Sequence, residues 1–272
     1  MAHTLQDRYA ALVDMKLRAT LVTKDGVIFN NRYEGNPKAG AVKIPVRDTE
    51  VAASAYNKAE GVELGAGSTT YLTITIDKDY AVNELIDGYD AAAVPDNLVA
   101  DRLDSAGYSL ALQLDKDGIA ALESAGTAFG DTTALTKDTI YANMVDMRTK
   151  LSESNVPVER RFALVSPAVF ALILKSPEFI SASNLGDEVK QSGAAGRIAG
   201  FNIFESNNLA STTEVIAGHP DWCTRINEWQ VAPHVQDLAG SGKYIGASAV
   251  QGRKIYAHKV TKATAVLIKK KA

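Results

Sequence analysis

The sequence predicts an α+β fold, and three observations carry that prediction. An apolar stripe at helical spacing runs through residues 94–123, a helix–strand–helix run follows from 136 to 175, and alternating strands close the chain after residue 201. Of the 272 residues 46% are hydrophobic and 22% charged, which suits a large globular body. No apolar run approaches the roughly 20 residues needed to cross a bilayer. The start, "MAHTLQDRYAALVD", lacks the basic-then-apolar pattern of a secretory signal. One cysteine, Cys223, excludes a disulfide framework and fits a reducing compartment.

In chain order, Thr4 can cap a helix with Asp7 three residues on, and Leu5, Tyr9, Leu12, Val13 and Leu17 recur near helical spacing. The polar "TKDGVIFNNRYEGNPKAG" then reads as an extended arm that needs something to lie on. Val42, Ile44 and Val46 alternate, as do Leu72, Ile74 and Ile76 against Tyr71, Thr73 and Thr75, which makes two half-buried strands. About two dozen residues join them, a length that is usually functional. Pro95 starts the longest helix, whose stripe is Leu98, Val99, Leu103, Ala106, Leu110 and Leu114. Gly107 inside it predicts close packing there.

A second helix carries Ile140, Met144, Met147 and Leu151 on one face. The strand "RFALVS" follows, and Ser166 with Pro167 opens the helix "PAVFALILKS" as N-cap and first residue. Phe201 and Ile203 mark the inward face of "FNIFES"; "TEVIAG", "EWQVAPHVQDL", "KYIGASAVQG", "RKIYAHKV" and "ATAVLIKK" read as five more strands.

Sites for chemistry are scarce. "GAAGRIAG" has glycines at 193, 196 and 200, but a polar stretch precedes it and a strand follows, so it fits neither the dinucleotide fingerprint nor, without a lysine, the P-loop. It reads as a loop turning at Gly200 into a strand. His219 and Cys223 stand four apart, yet no further cysteine completes a zinc site, and His3, His234 and His258 are scattered. A small buried thiol is the expectation for Cys223. No G-x-S-x-G occurs, and carboxylate pairs such as Asp115/Asp117 read as solvated faces. The expectation is no enzyme, no cofactor and no metal.

Charge is unevenly spread: net +4 over residues 1–47, −15 over 48–237 and +8 over 238–272. The basic ends could meet nucleic acid or the acidic middle of an identical neighbour, or serve solubility alone. The terminal "LIKKKA" reads as a solvated tip.

The order of elements, with "VERRFALVSPAVFALILKSPEF", "GRIAGFNIFESNNL" and "GRKIYAHKVTKATAVLIK", resembles the major capsid proteins of tailed bacteriophages over essentially the whole chain. The resemblance implies the α+β Hong Kong 97-type capsid fold. It divides the chain into an N-terminal arm (1–38), an extended loop built as a β-hairpin (39–80), a peripheral domain with its spine helix (81–129), an axial domain (130–243) and closing strands of the peripheral domain (244–272). It implies self-assembly through pentamers and hexamers into an icosahedral head around double-stranded DNA bound without sequence specificity. Portal, scaffolding or decoration proteins would be further partners, and assembly would take place in the host bacterial cytoplasm, with no membrane involved. The encapsulin-like nanocompartment shell shares the fold and is the alternative. Candidate inter-subunit contacts are Lys58, Glu60 and Glu63 in the loop, Arg197 beside the glycine turn, and Lys254, Lys259 and Lys262 near the C-terminus. The last three would meet the acidic middle of a neighbour. In some relatives a loop lysine forms a covalent bond between subunits. Lys58 is a candidate for this by position only, against a plain solvated lysine.

Overall fold

A computed structural model of the chain describes residues 16–35, 38–47, 50–51, 53–62, 65, 67–94, 97–177, 196–240 and 242–271. The helix expected from Thr4, Pro95 and the glycine at 193 lie outside the described residues, as does most of the loop that leads to Gly196.

Strands β1 (Ala41–Val46) and β2 (Thr70–Thr75) pair antiparallel. β3 (Lys78–Ile86), a short helix α1 (Gly88–Ala93) and the 28-residue helix α2 (Leu98–Ala125) follow. Then come β4 (Thr127–Ala128), α3 (Ile140–Glu153), β5 (Phe162–Val165) and α4 (Pro167–Lys175). The chain ends with β6 (Arg197–Ile198), β7 (Phe201–Glu205), β8 (Thr213–Gly218), β9 (Cys223–Asp237), β10 (Ser248–Val260) and β11 (Val266–Lys270).

A six-stranded mixed sheet in the order β4-β11-β8-β5-β7-β6 forms the larger body. Its central strands are buried on both faces, so β5 reads as an unbroken apolar run. Ala163, Val165, Val215, Ala217 and Leu267 face one core, where Ile140, Met144, Met147 and Leu151 of α3 and Val169 and Ile173 of α4 cover them. Phe162, Leu164, Ile216 and Val266 face the other, under Ile119 and Leu122 of α2. Ser166 caps α4 as expected, accepting from Val169 N at 3.4 Å. Phe201 is fully buried and Ile203 partly so, and Gly200 makes its turn with φ +88°.

The smaller sheet, β3-β10-β9, packs on the N-terminal half of α2 through Val82, Ile86, Val250, Leu98, Val99, Leu103 and Ala106. At about 1.5 Å per residue α2 is about 42 Å long, enough to splint the two sheets together. Three expectations are corrected here. β3 was not foreseen as an element of this sheet. "KYIGASAVQG" and "RKIYAHKV" are not two strands: β10 runs unbroken through Gly252, where the register shifts instead in edge strand β9 at Pro233, which has no N–H to pair. The close helix approach is at Gly118, not Gly107. A Cβ at Gly118 would lie 3.0 Å from Phe29 Cε2, whereas one at Gly107 would find its nearest neighbour, Pro233 Cγ, 4.0 Å away.

Candidate assembly interface

Residues 47–69 connect β1 to β2 in the chain. The hairpin root is anchored, since Ile44 and Ile74 pack on Ile226 and Ala257. Beyond it no described residue of 47–69 is buried. Val51 is 97% exposed and Tyr56 74%, a poor arrangement for apolar groups in water unless another surface covers them. Near the midpoint the chain turns back. Gly61 N donates to the Asn57 carbonyl at 2.8 Å, Ala59 N donates to Asn57 Oδ1 at 3.0 Å, and Gly61 supplies φ +71°. Lys58 and Glu60 sit in this turn, and Asn57 Nδ2 donates to Glu60 Oε2 at 3.2 Å. Glu63 lies outside the described residues.

The arm behaves differently from the expectation that it must find a neighbour. Residues 19–30 are ordered on their own chain. Val22, Ile28 and Phe29 are buried in the core beneath α2. Buried Asp115 of α2 accepts from Val22 N at 2.9 Å, Thr23 N at 2.8 Å and Thr23 Oγ1 at 2.9 Å, while its Oδ2 accepts from Asn208 Nδ2 at 2.8 Å. This overturns its reading as a solvated face; Asp117 likewise accepts from Tyr256 OH at 2.9 Å. Buried Arg225 of β9 donates to Asp25 Oδ1 and Thr23 Oγ1, each at 2.9 Å, and lies 4.8 Å from the Phe29 ring centroid. Burial lowers the Arg225 pKa, and Asp25 opposes that shift.

The charge asymmetry is therefore partly spent inside one chain. Lys16 and Arg18 of the basic arm pair with Asp101 and Asp104, Arg32 with Asp221, and Arg253 of the basic C-terminal segment with Asp79. The tip "LIKKKA" is not wholly solvated either. Lys269 is fully buried and donates to Asp131 Oδ2 at 3.0 Å. Thr133 and then Lys269 hold the Asp131 carboxyl down at about 2.

Arg225 Nε also donates to His258 Nε2 at 2.9 Å, so the imidazole proton must sit on Nδ1, which is buried without a partner. Burial first, then Arg225, Lys78 and Lys254, depress the His258 pKa to about 3. A folded-state pKa below the unfolded value of about 6.5 means that the unfolded chain takes up the proton first. Stability from this group is complete above about pH 6.5 and drains away as pH falls towards 3. At pH 5 the loss is about 2 kcal/mol. Urea unfolding of the unassembled subunit at pH 7 and 5 should show that loss, and His258→Gln, which keeps an acceptor for Arg225 without titrating, should remove most of it.

The three C-terminal lysines do not form one patch. Lys254 and Lys259 are five residues apart on β10 and point to opposite faces. Lys254 is half-buried and its pKa is lowered by burial and then by Arg225, with Asp25 and Glu34 pulling the other way. Lys259 is exposed, and Lys262 lines a cavity of about 280 Å³ with Arg32, Arg47 and Asp221. Arg197 is exposed on the outermost strand of the larger sheet, with its Nε 3.3 Å from the Gly200 carbonyl. His219 and Cys223 make no nucleophile–base pair: the Cys223 Sγ is 3.5 Å from the His219 carbonyl oxygen, the His219 Nδ1 accepts from Asp221 N, and burial pushes the thiol pKa far up. Sequence reasoning missed Asp115, Arg225 and Glu214, whose surroundings come from segments distant in the chain.

No curated protein matches this chain. Solved structures do. The chain is similar to a protein of Mycobacterium phage Che8 at 22% identity, covering 97% of this chain and 96% of that one with a TM-score of 0.83. It is similar to one from the capsid structure of the cyanophage P-SCSP1u at 14% identity, covering 98% and 93% with a TM-score of 0.81. It is also similar to one from the mature capsid of bacteriophage PhiM1 at 14% identity, covering 96% and 92% with a TM-score of 0.69. A family model described as "Phage capsid protein" matches residues 85–245, from the end of β3 to the turn before β10. With that match over more than half its length and the fold shared from end to end, the chain belongs to the phage capsid proteins and has the Hong Kong 97-type fold.

Proposed function

We propose that this major capsid protein builds the icosahedral head of a tailed phage through rings of five and six subunits, enclosing double-stranded DNA. The observation that carries the reading is the loop of residues 47–69, none of whose described residues is buried, with Val51, Tyr56 and Val62 exposed and its root anchored on Ile226 and Ala257. A surface that its own chain leaves open is complete only against another copy. Head-to-tail contacts of that kind close into rings, and rings of two sizes tile a shell. In this reading residues 1–38 are the arm, 39–80 the loop, 81–129 and 244–272 the peripheral domain with α2 as its spine, and 130–243 the axial domain. Lys58, Glu60, Glu63, Arg197, Lys254, Lys259 and Lys262 are its contact candidates. Assembly takes place in the host cytoplasm, and DNA is held without sequence specificity; portal, scaffolding or decoration proteins would join the shell. The role is mechanical, with no turnover.

Electron microscopy of the purified protein tests this. Closed shells with five-fold vertices, DNA-filled when made during infection, are the expected result. Only unassembled protein across pH, salt and concentration would overturn it.

A further inference from the structure

A groove of about 650 Å³ opens between the start of α4 and the turn before β8, walled by Leu135, Pro167, Val169, Leu172 and Leu209. Glu214 also lines it, and Glu214 Oε2 is buried with no hydrogen-bond partner. Lys271 reaches the same groove without bonding that oxygen. A buried carboxylate oxygen left unpaired is costly, and a cation brought to it recovers that cost.

The turn of the long loop offers the complement. Tyr56 and Val62 are exposed apolar groups flanking Lys58. Among the described residues Lys58 makes no hydrogen bond or ion pair, whereas its neighbours Ala59 and Glu60 each bond Asn57. From Arg47 to Lys58 an extended chain can reach about 35 Å. We infer that the loop turn of a second copy of this chain seats in the groove, with Lys58 on Glu214 and Tyr56 on the apolar wall. This rests on the shell-building reading and names the receptor for the loop. The contact is noncovalent and one-way: each copy gives a turn at one place and receives one at another, as head-to-tail rings require.

Charge reversal tests it. Lys58→Glu and Glu214→Lys should each lower the yield of closed shells at least tenfold, measured by sedimentation and electron microscopy. The double variant should recover at least half the wild-type yield. Wild-type yield from either single variant, or a double variant no better than the singles, would overturn the inference. A second measurement does not depend on how Glu214→Lys folds. Wild-type shells treated with a carbodiimide, which condenses an amine with a carboxylate and takes up the water itself, should give a Lys58–Glu214 peptide by mass spectrometry. Lys58→Arg shells should lack it. Shells in which other lysine–carboxylate links between subunits appear but this one does not would sink the groove assignment and leave shell building intact. If wild-type protein forms no shells, the functional reading falls and this inference with it.

Discussion

Replacing residues 47–69 by Asn-Gly should leave a folded subunit that builds no shells. Val46 and Thr70 stand opposite each other in the β1–β2 ladder, so a two-residue turn closes the hairpin without changing its register. No described residue of the excised segment is buried, so no core is opened. Shortening the connection lowers its closure entropy and should raise stability by on the order of 1–2 kcal/mol. The urea midpoint should stay or rise, while sedimentation shows only small species. A variant that still closes into shells would show that the loop is dispensable, and the proposed basis of assembly would fall with it.

Asp115→Ala should strongly destabilise the body. Asp115 is the acceptor for Val22 N, Thr23 N and Thr23 Oγ1 and is itself buried, so its loss strands donors that water cannot reach. A cost of about 3–5 kcal/mol is expected. In a chain of this size that lowers the melting temperature by on the order of 10 °C. Asp115→Asn should cost less, because its amide oxygen can still accept from the two backbone groups, while its nitrogen meets Asn208, whose amide must flip from donating Nδ2 to presenting Oδ1. If alanine costs under about 1 kcal/mol, the arm is held by Val22, Ile28 and Phe29 alone and the polar cluster is incidental.

Much of the fold was legible because its signals are local. Ser166–Pro167 starts α4, the spacing of Ile140, Met144, Met147 and Leu151 defines the buried face of α3, and the alternation at Ile44 and Ile74 sets the hairpin. The long loop announced itself by its length. What stayed hidden depends on distant partners. Asp115 is one of several acids on α2, and nothing near it in sequence says that Val22 and Thr23, more than ninety residues earlier, will aim their N–H groups at it. The continuity of β10 through Gly252 was illegible for the same reason. That glycine packs closely against Leu110 of α2 and Pro233 of the adjacent strand, whose side chains lie 3.2–3.3 Å from where a Cβ would stand, so it marks packing and not a turn. Charge counting misled in one respect: a split along the sequence says nothing about whether it is neutralised within a chain or between chains, and Lys16, Arg18 and Arg253 show that part of it is internal.

The central claim is that the loop of one subunit completes the surface of the next. A single-particle reconstruction of assembled shells, at a resolution that traces side chains, tests it most directly. The expected density for residues 47–69 leaves its own subunit after Val46, crosses the boundary and returns at Thr70, with Tyr56 covered by a neighbour. Density folded back on its own subunit, or standing free with Tyr56 in solvent inside a closed shell, would contradict the account.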